Sequence, residues 1–104
     1  MKDDFDRGMS PEEATARIRE VAQGEYRLVL TGSVSRALVK GPLIMGDIRC
    51  VLSNGEVTAP AEKSSMDGIF KYLMECRTPN HPNSALKLVV IISKSNLIKV
   101  CAIL

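Results

Sequence analysis

Three long apolar runs fill the last third of the chain and predict three consecutive β-strands. The runs are Ile69–Arg77, Ala85–Ile92 and Leu97–Leu104. The segments between them contain asparagine, proline, serine and lysine, which are typical of turns. We therefore expect a meander of three antiparallel strands.

The few charges inside these runs predict which face of the sheet contacts water. Side chains alternate between the two faces of a strand, so Lys71, Glu75 and Arg77 share one side of the first run. Lys87 in the second run and Lys99 in the third also lie opposite an apolar stripe. If the strands pair in register, these cations collect on one face, either as ordinary solvated charges or as a surface for a phosphate backbone. The opposite, core-facing side is predicted to hold Phe70, Tyr72, Met74, Cys76, Leu86, Leu88, Val90, Ile92, Ile98, Val100 and Ala102.

A helix is predicted to begin at Ser10. Serine as the N-cap, Pro11 at the first helical position and Glu13 in position for a capping box together form a strong helix start. Gly24 is in the expected place for the end of this helix. One apolar stripe recurs between them at helical spacing, at Ala14, Ile18, Val21 and Ala22.

The middle of the chain is predicted to form a strand, two short helices, an edge strand and a loop. The helices are separated by Gly41-Pro42, and Asn54-Gly55 ends the second. The sequence thus predicts an α+β domain, in which an N-terminal helix and two short helices pack on a mainly antiparallel sheet. The middle elements span Tyr26–Thr31, Val34–Lys40, Leu43–Asn54, Glu56–Thr58 and Ala61–Gly68, and Thr78–Ser84 is predicted to be a second loop.

Composition indicates one globular domain. The 104 residues are 45% hydrophobic and 25% charged, which is sufficient for one modest core. Residues 1–9 lack periodicity and are expected to be flexible, ahead of a single domain over residues 10–104. No apolar run is long enough for a membrane span, and the acidic start is unlike a signal peptide, so we expect a cytoplasmic location without a membrane partner.

Cysteine usage and motifs indicate neither a disulfide framework nor a cofactor. Cys50, Cys76 and Cys101 are odd in number and far apart in the sequence, which is typical of reduced thiols. Because His81 is the single histidine, we expect no zinc site. Phosphate-binding glycine loops and common catalytic motifs are missing, so no cofactor is predicted.

The net charge of +2 conceals an uneven distribution. Residues 1–25 hold seven acidic and four basic residues, a balance of −3, whereas residues 26–104 hold five acidic and ten basic residues, a balance of +5. A mildly basic body is compatible with an anionic partner such as RNA.

Several short segments occur in a characteristic order along residues 10–104. They are Ile18-Arg19, Leu30-Thr31, Asp47-Ile48, Val51-Leu52, Gly55-Glu56-Val57, Lys71-Tyr72, Arg77-Thr78-Pro79 and Val89-Val90. In this order the chain resembles a family of small bacterial domains of unknown function that are related to the RelE, BrnT and MqsR toxins. The resemblance implies a RelE-like fold and an RNA-binding, toxin-like function, with an mRNA ribonuclease of a toxin–antitoxin pair as its most specific form and a cognate antitoxin as partner.

The chain departs from that family at its polar motif positions. Counting back from Asp47, Ser33 takes the place of the family's histidine, and Ala37 and Gly41 take the places of its two arginines. Pro42 replaces the family's glycine. These changes leave the catalytic activity open while the order of elements is retained.

The same resemblance implies candidate roles for the charged side chains of the sheet. A metal-independent endoribonuclease needs a base near the ribose 2′-hydroxyl, cations at the phosphate and an acid at the leaving oxygen. Glu75 is the candidate base, Lys71 and Arg77 are the candidate phosphate stabilisers, and His81 is the candidate acid. A solitary histidine between Asn80 and Pro82 is more often simply a turn residue. The expected RNA-binding residues are Arg36, Lys40, Lys87 and Lys99.

A second hypothesis is a catalytically inactive module that binds a protein partner on the same scaffold. The replaced family residues at Ser33, Ala37 and Gly41 favour it. The ends of the sheet, in particular Leu97–Leu104 if that strand lies at an edge, would then offer strand addition or self-association.

Overall fold

The computed structural model describes residues 8–41, 43–64, 68–93 and 95–104. Within these ranges the chain forms three helices packed on a mixed, mostly antiparallel sheet, which confirms the predicted α+β class. The elements in chain order are helix α1 Pro11–Gln23, strand β1 Arg27–Leu30, helix α2 Gly32–Lys40, helix α3 Met45–Asn54, and strands β2 Glu56–Val57, β3 Glu62–Lys63, β4 Phe70–Thr78, β5 His81–Ile92 and β6 Leu97–Ile103.

The strands follow the order β1-β6-β5-β4-β2, and β3 pairs with the other end of β4. The pairs β4–β5 and β5–β6 are antiparallel, as predicted for the meander. Strand β1 pairs in parallel with β6, with Arg27 opposite Leu97. Because β6 is paired on both sides, the suggestion that Leu97–Leu104 lies at a sheet edge is wrong.

Helix α1 begins as the sequence predicts. The Ser10 hydroxyl accepts a hydrogen bond from the Glu13 N–H at 3.2 Å, and the Glu13 carboxylate accepts one from the Ser10 N–H at 3.2 Å. This reciprocal pair satisfies two backbone donors that the helix itself leaves unpaired. The cap fixes the start of the helix, so that Ala14, Ile18 and Val21 face the core.

The core lies between the helices and one side of the sheet. Buried side chains of α1, α2 and α3 meet the apolar stripes of β4, β5 and β6, as the alternation predicts. Burial of each such side chain contributes about 1.5–3 kcal/mol. The sheet residues in this core are Tyr72, Met74, Leu88, Val90, Ile92, Ile98 and Val100.

Two irregularities in the pairing change the predicted faces. Val90 lies opposite Val100 but Val89 lies opposite Ala102, so Cys101 is an extra residue on β6. A bulge of this kind reverses the alternation beyond it, which places Ala102 on the side of Val89 and not, as expected, with the core stripe.

The second irregularity lies between β4 and β5. Cys76 is opposite Leu86 and Thr78 is opposite His81, so β5 contains three more residues than β4 between these pairs. The odd number reverses the alternation again and places His81 on the same side as the buried Thr78.

Both predicted loops are shorter than expected. Glu62–Lys63 forms a strand opposite Phe70 and Lys71, and residues 65–67 of that loop lie outside the described residues. The prediction of a second loop is wrong over residues 81–84, because β5 already starts at His81 after a tight turn at Pro79-Asn80.

The residue before the α1 cap is packed. Met9 is buried, and its N–H donates to the Tyr72 hydroxyl at 2.9 Å. Residues 1–7, which hold most of the segment expected to be flexible, lie outside the described residues, as does Pro42. No helix in the described ranges is long and apolar enough to cross a membrane.

Candidate nucleic-acid interface

The side of the sheet turned away from the helices is called the open face here. It carries four cations singled out by the sequence, Lys71 and Arg77 on β4, Lys87 on β5 and Lys99 on β6. Lys87, Lys99 and Arg77 are exposed, whereas Lys71 is half-buried. Arg27 of β1 adds a fifth cation, because it lies two residues from Val29, which pairs with Lys99. The predicted gathering of these cations on one face is therefore present.

Acidic residues alternate with these cations across the strands. Lys71 lies opposite Glu62 of β3, and Lys87 lies opposite Glu75 of β4. On its other side, Glu75 lies opposite Glu56 of β2. Directly opposed unlike charges attract each other by up to about 1 kcal/mol, which lowers the positive potential that an anionic ligand meets.

An apolar strip crosses the middle of the open face. Leu73, Val89 and Ala102 follow one another across three strands, and Ile91 lies beside Lys99. All four are half-buried. A shallow cavity of about 250 Å³ opens next to the strip, lined by Ala59, Pro60, Glu62, Lys71, Tyr72, Leu73, Val89 and Leu104. The face thus offers aliphatic contacts in its centre and cations around them.

Glu75, the candidate base, is held by its neighbours. Its carboxylate accepts a hydrogen bond from the Thr58 hydroxyl, and Lys87 lies across the strand pair. The hydrogen bond from Thr58 fixes the position of the carboxylate. To act as a base, Glu75 would have to break its hydrogen bond with Thr58 or accept the proton on its other carboxylate oxygen.

His81, the candidate acid, lies on the helix side of the sheet. Its Nε2 is 3.5 Å from Oδ2 of Asp47, the buried carboxylate in the first turn of α3. Lys71, Glu75 and Arg77 occupy the open face, so the structure brings these three side chains to one face and separates His81 from them. Their catalytic roles stay predictions.

Asp47 is the centre of a polar cluster that sequence reasoning missed. Its side chain is 1% exposed and accepts hydrogen bonds from the Thr78 hydroxyl at 2.7 Å, the Asn80 side-chain amide at 3.0 Å and the Ile44 N–H at 3.1 Å. Burial by itself raises the pKa of Asp47, but these hydrogen bonds and the nearby His81 outweigh it, so the pKa lies below its usual value. The available signal was an aspartate near the start of a predicted helix, where a carboxylate can accept hydrogen bonds from the free backbone N–H groups.

Arg36 and Lys40, expected to bind RNA, are placed in the helix layer. Both are exposed on α2, whose Val34 is buried in the core. The helix contacts β6 from the core side, so these two cations are separated from Lys87 and Lys99 on the open face. Their part in RNA binding stays a prediction.

A second groove, of about 440 Å³, lies between α1 and β2 and is lined by Pro11, Glu12, Thr15, Ala16, Arg19, Glu56 and Val57. Within it the Thr15 hydroxyl accepts a hydrogen bond from the Val57 N–H at 2.8 Å. The Arg19 guanidinium donates to the carbonyls of Gly55 and Asn54, both at 2.9 Å. Helix α1 therefore covers the backbone at the β2 edge of the sheet.

No cluster of three or more potential metal ligands occurs in the described part of the chain. Comparison of the sequence and fold with models of protein families, with curated proteins and with solved structures gave no match. The likeness to toxin-related domains therefore rests on the short collinear segments alone.

Proposed function

We propose that this chain is a cytoplasmic RNA-binding domain of the toxin-like kind, and that RNA lies across the open face. The observation that carries the proposal is the charge of that face. Among the described strands it holds five cations against three acids, a surplus of two. The acids are Glu56, Glu62 and Glu75, and the cations are Arg27, Lys71, Arg77, Lys87 and Lys99.

Phosphates would contact the cations, and bases would contact the apolar strip. Aromatic side chains usually supply the stacking platform for single-stranded RNA, but Phe70 and Tyr72 point to the core side. Leu73, Val89 and Ile91 offer aliphatic contact instead. Affinity would then come mainly from phosphate contacts, so it should be modest, tolerant of sequence and strongly dependent on salt.

Fluorescence anisotropy with a labelled single-stranded RNA tests the proposal. The protein should bind at low salt, and the double variant Lys71→Ala/Arg77→Ala should bind about ten-fold more weakly with a shallower salt dependence. The matched control is Arg36→Ala/Lys40→Ala, which removes the same charge from the helix layer and should cost less affinity. Absence of binding by the wild type at low salt, or an equal loss in both double variants, would contradict the proposal.

Cleavage of mRNA, as in a toxin–antitoxin pair, is the narrower form of this proposal. It is supported by Lys71, Glu75 and Arg77 on one side of one strand, with Glu75 as base and the two cations at the phosphate. The acid would have to come from elsewhere, because His81 lies on the other side of the sheet. In a ribonuclease assay, Glu75→Gln should cleave RNA more slowly than the wild type and bind it with the same affinity. Equal cleavage by the wild type and Glu75→Gln would remove Glu75 from the mechanism.

A catalytically inactive module that binds a cognate antitoxin is the second candidate. Two observations favour it: the four candidate catalytic side chains do not converge, and the Glu75 carboxylate already accepts a hydrogen bond from Thr58. The apolar strip would then be the contact surface. If a small antitoxin-like protein is encoded next to this chain, its co-purification with the chain should be lost in Val89→Asp and retained in Arg36→Ala. Co-purification unaffected by Val89→Asp would exclude the strip as the interface.

A further inference from the structure

Helix α3 runs along the core side of β4, and two contacts fix its position. At its first turn, the Asp47 carboxylate accepts the 2.7 Å hydrogen bond from Thr78. Just beyond its end, Gly55 lies so close to β4 that a Cβ atom there would be 3.3 Å from the Cβ of Cys76. Cys50 lies on the helix between these two points, and Cys76 lies on β4 between Met74 and Thr78, on the side that faces α3.

The two cysteines are therefore neighbours across the helix–sheet interface although 25 residues separate them in sequence. Both are half-buried and reduced. Burial raises the pKa of the Cys76 thiol, and the neighbouring Cys50 thiol raises it further.

We propose that Cys50 and Cys76 are a modification site, at which a hydroperoxide or a disulfide oxidant joins α3 to β4 through a reversible intramolecular disulfide. The proposal does not depend on RNA binding. Disulfides form between residues whose Cα atoms are less than about 7 Å apart, a condition that neighbouring elements in direct side-chain contact can meet.

With a hydroperoxide the chemistry has two steps. The Cys50 thiolate attacks the peroxide oxygen, the O–O bond breaks, and a sulfenic acid and a water or alcohol result. The Cys76 thiolate then attacks the Cys50 sulfur, the S–S bond forms, the S–O bond breaks and hydroxide leaves to become water. Two thiols are oxidised and one peroxide is reduced. With glutathione disulfide, the Cys50 thiolate attacks one sulfur and a glutathione thiolate leaves; the Cys76 thiolate then attacks the Cys50 sulfur of the mixed disulfide, and the second glutathione thiolate leaves. The same disulfide results if Cys76 is oxidised first and Cys50 attacks it.

Cys101 is the internal control. It lies on β6, and β5 separates it from β4. Two strand spacings amount to about 10 Å, which is too far for a disulfide between Cys101 and Cys76. Cys101 should therefore remain a thiol while the other two cysteines pair.

Peptide mapping under non-reducing conditions tests the proposal on the wild-type chain. Reduced protein is titrated with hydrogen peroxide, and separately with glutathione disulfide, until half of its thiols are lost; the remainder are alkylated and the chain is cut with trypsin. Cleavage after Arg49, Lys63, Lys71 and Arg77 places Cys50 in peptide 50–63 and Cys76 in peptide 72–77.

The expected product is one species in which these two peptides are linked, with a mass lower than their sum by two hydrogen atoms, and it should disappear on reduction. Peptide 100–104 should be recovered mainly alkylated at Cys101. Cys101→Ser should retain the linked species and Cys50→Ser should lose it. Thiol loss without this species, or links that involve Cys101 or join two chains as the main product, would overturn the proposal.

Discussion

The Thr78 hydroxyl donates a 2.7 Å hydrogen bond to Oδ1 of Asp47, and this bond joins the last residue of β4 to the first turn of α3. Both side chains are buried, with 2% and 1% of their residue surface exposed. Thr78 also accepts a hydrogen bond from the His81 N–H at 3.1 Å, so the same hydroxyl fixes the turn between β4 and β5. One threonine thus holds a hairpin and a helix together.

Thr78→Val should therefore destabilise the fold. Valine keeps the shape but removes a hydrogen bond to a buried carboxylate, which should lower the free energy of unfolding by about 1.5–3 kcal/mol. Urea denaturation measures the change. The control Thr58→Val removes a hydroxyl that donates to Glu75 at an exposed site and should cost less than about 1 kcal/mol. Equal losses would show that the Asp47 cluster adds nothing beyond a surface contact.

The lowered pKa of Asp47 predicts a pH dependence of stability. Asp47 binds a proton less tightly in the folded state than in the unfolded state, where the pKa of an aspartate is about 3.9. The contribution of Asp47 is therefore complete above that pH and is lost as the pH falls through the lower folded pKa. Urea denaturation of the wild type and of Asp47→Asn from about pH 7 to about pH 3 should give stabilities that converge as the pH falls. Parallel curves would mean that Asp47 has the same pKa in both states.

The two faces of β5 should differ in their tolerance of truncation. Leu88 is fully buried on the core side, so Leu88→Ala should cost about 2–5 kcal/mol. Val89, its neighbour on the open face, is half-buried, and Val89→Ala should cost about 1 kcal/mol. Melting curves of the two variants compare them directly, and a larger loss for Val89 would mean that the faces are assigned the wrong way round.

His81 should contribute to the stability of the fold but not to RNA binding. It contacts Asp47 on the core side, away from the cations of the open face. His81→Ala should therefore lower the melting temperature while anisotropy shows the RNA affinity of the wild type. A loss of affinity as large as that of Lys71→Ala/Arg77→Ala, at a temperature where the variant is folded, would place His81 in the binding site.

Alanine substitutions of the two glycines at the ends of α3 should change the stability of the fold in opposite directions. A Cβ atom at Gly55 would lie 2.5 Å from the Val51 carbonyl oxygen and 3.0 Å from that of Glu75, so Gly55→Ala should cost about 1–3 kcal/mol. At Gly46 the nearest atom is 3.7 Å away, and Gly46→Ala should add about 0.5–1 kcal/mol by favouring the helix. Chemical denaturation of the matched pair checks both signs, and a neutral Gly55→Ala would mean that α3 can move away from β4.

Alternation of apolar and polar residues was sufficient to predict the core. Leu88, Val90 and Ile92 are buried as the pattern requires, because burial of one face leaves a strand little choice of register. The parallel pairing of β1 with β6 could not be predicted, since a four-residue strand carries no signal for its neighbour or direction. Strand β3 was missed for a related reason: Glu62–Lys63 has two charges and pairs only because β4 extends past β2.

The candidate site could be predicted where the alternation is regular and not where it is interrupted. Lys71, Glu75 and Arg77 share a face as expected, because β4 is continuous between them. His81 is on the other face because three additional residues of β5 lie between its pairing with Thr78 and that of Leu86 with Cys76. Such irregularities depend on how two strands pair, so they cannot be predicted from the sequence of either strand alone. The cluster around Asp47 depends on that same fit.

The two borders of the sheet are unequal, and this limits how copies of the chain can assemble. At the β2 border, the Val57 N–H is already bound by Thr15 and the Gly55 carbonyl by Arg19, while β3 presents two charged residues. At the other border, no described element pairs with the outer side of β1. Continuous growth of a fibril needs two adhesive borders on each unit, one for each neighbour. If a second copy paired with β1, the pair would have no such border left, so growth by strand addition would terminate at two.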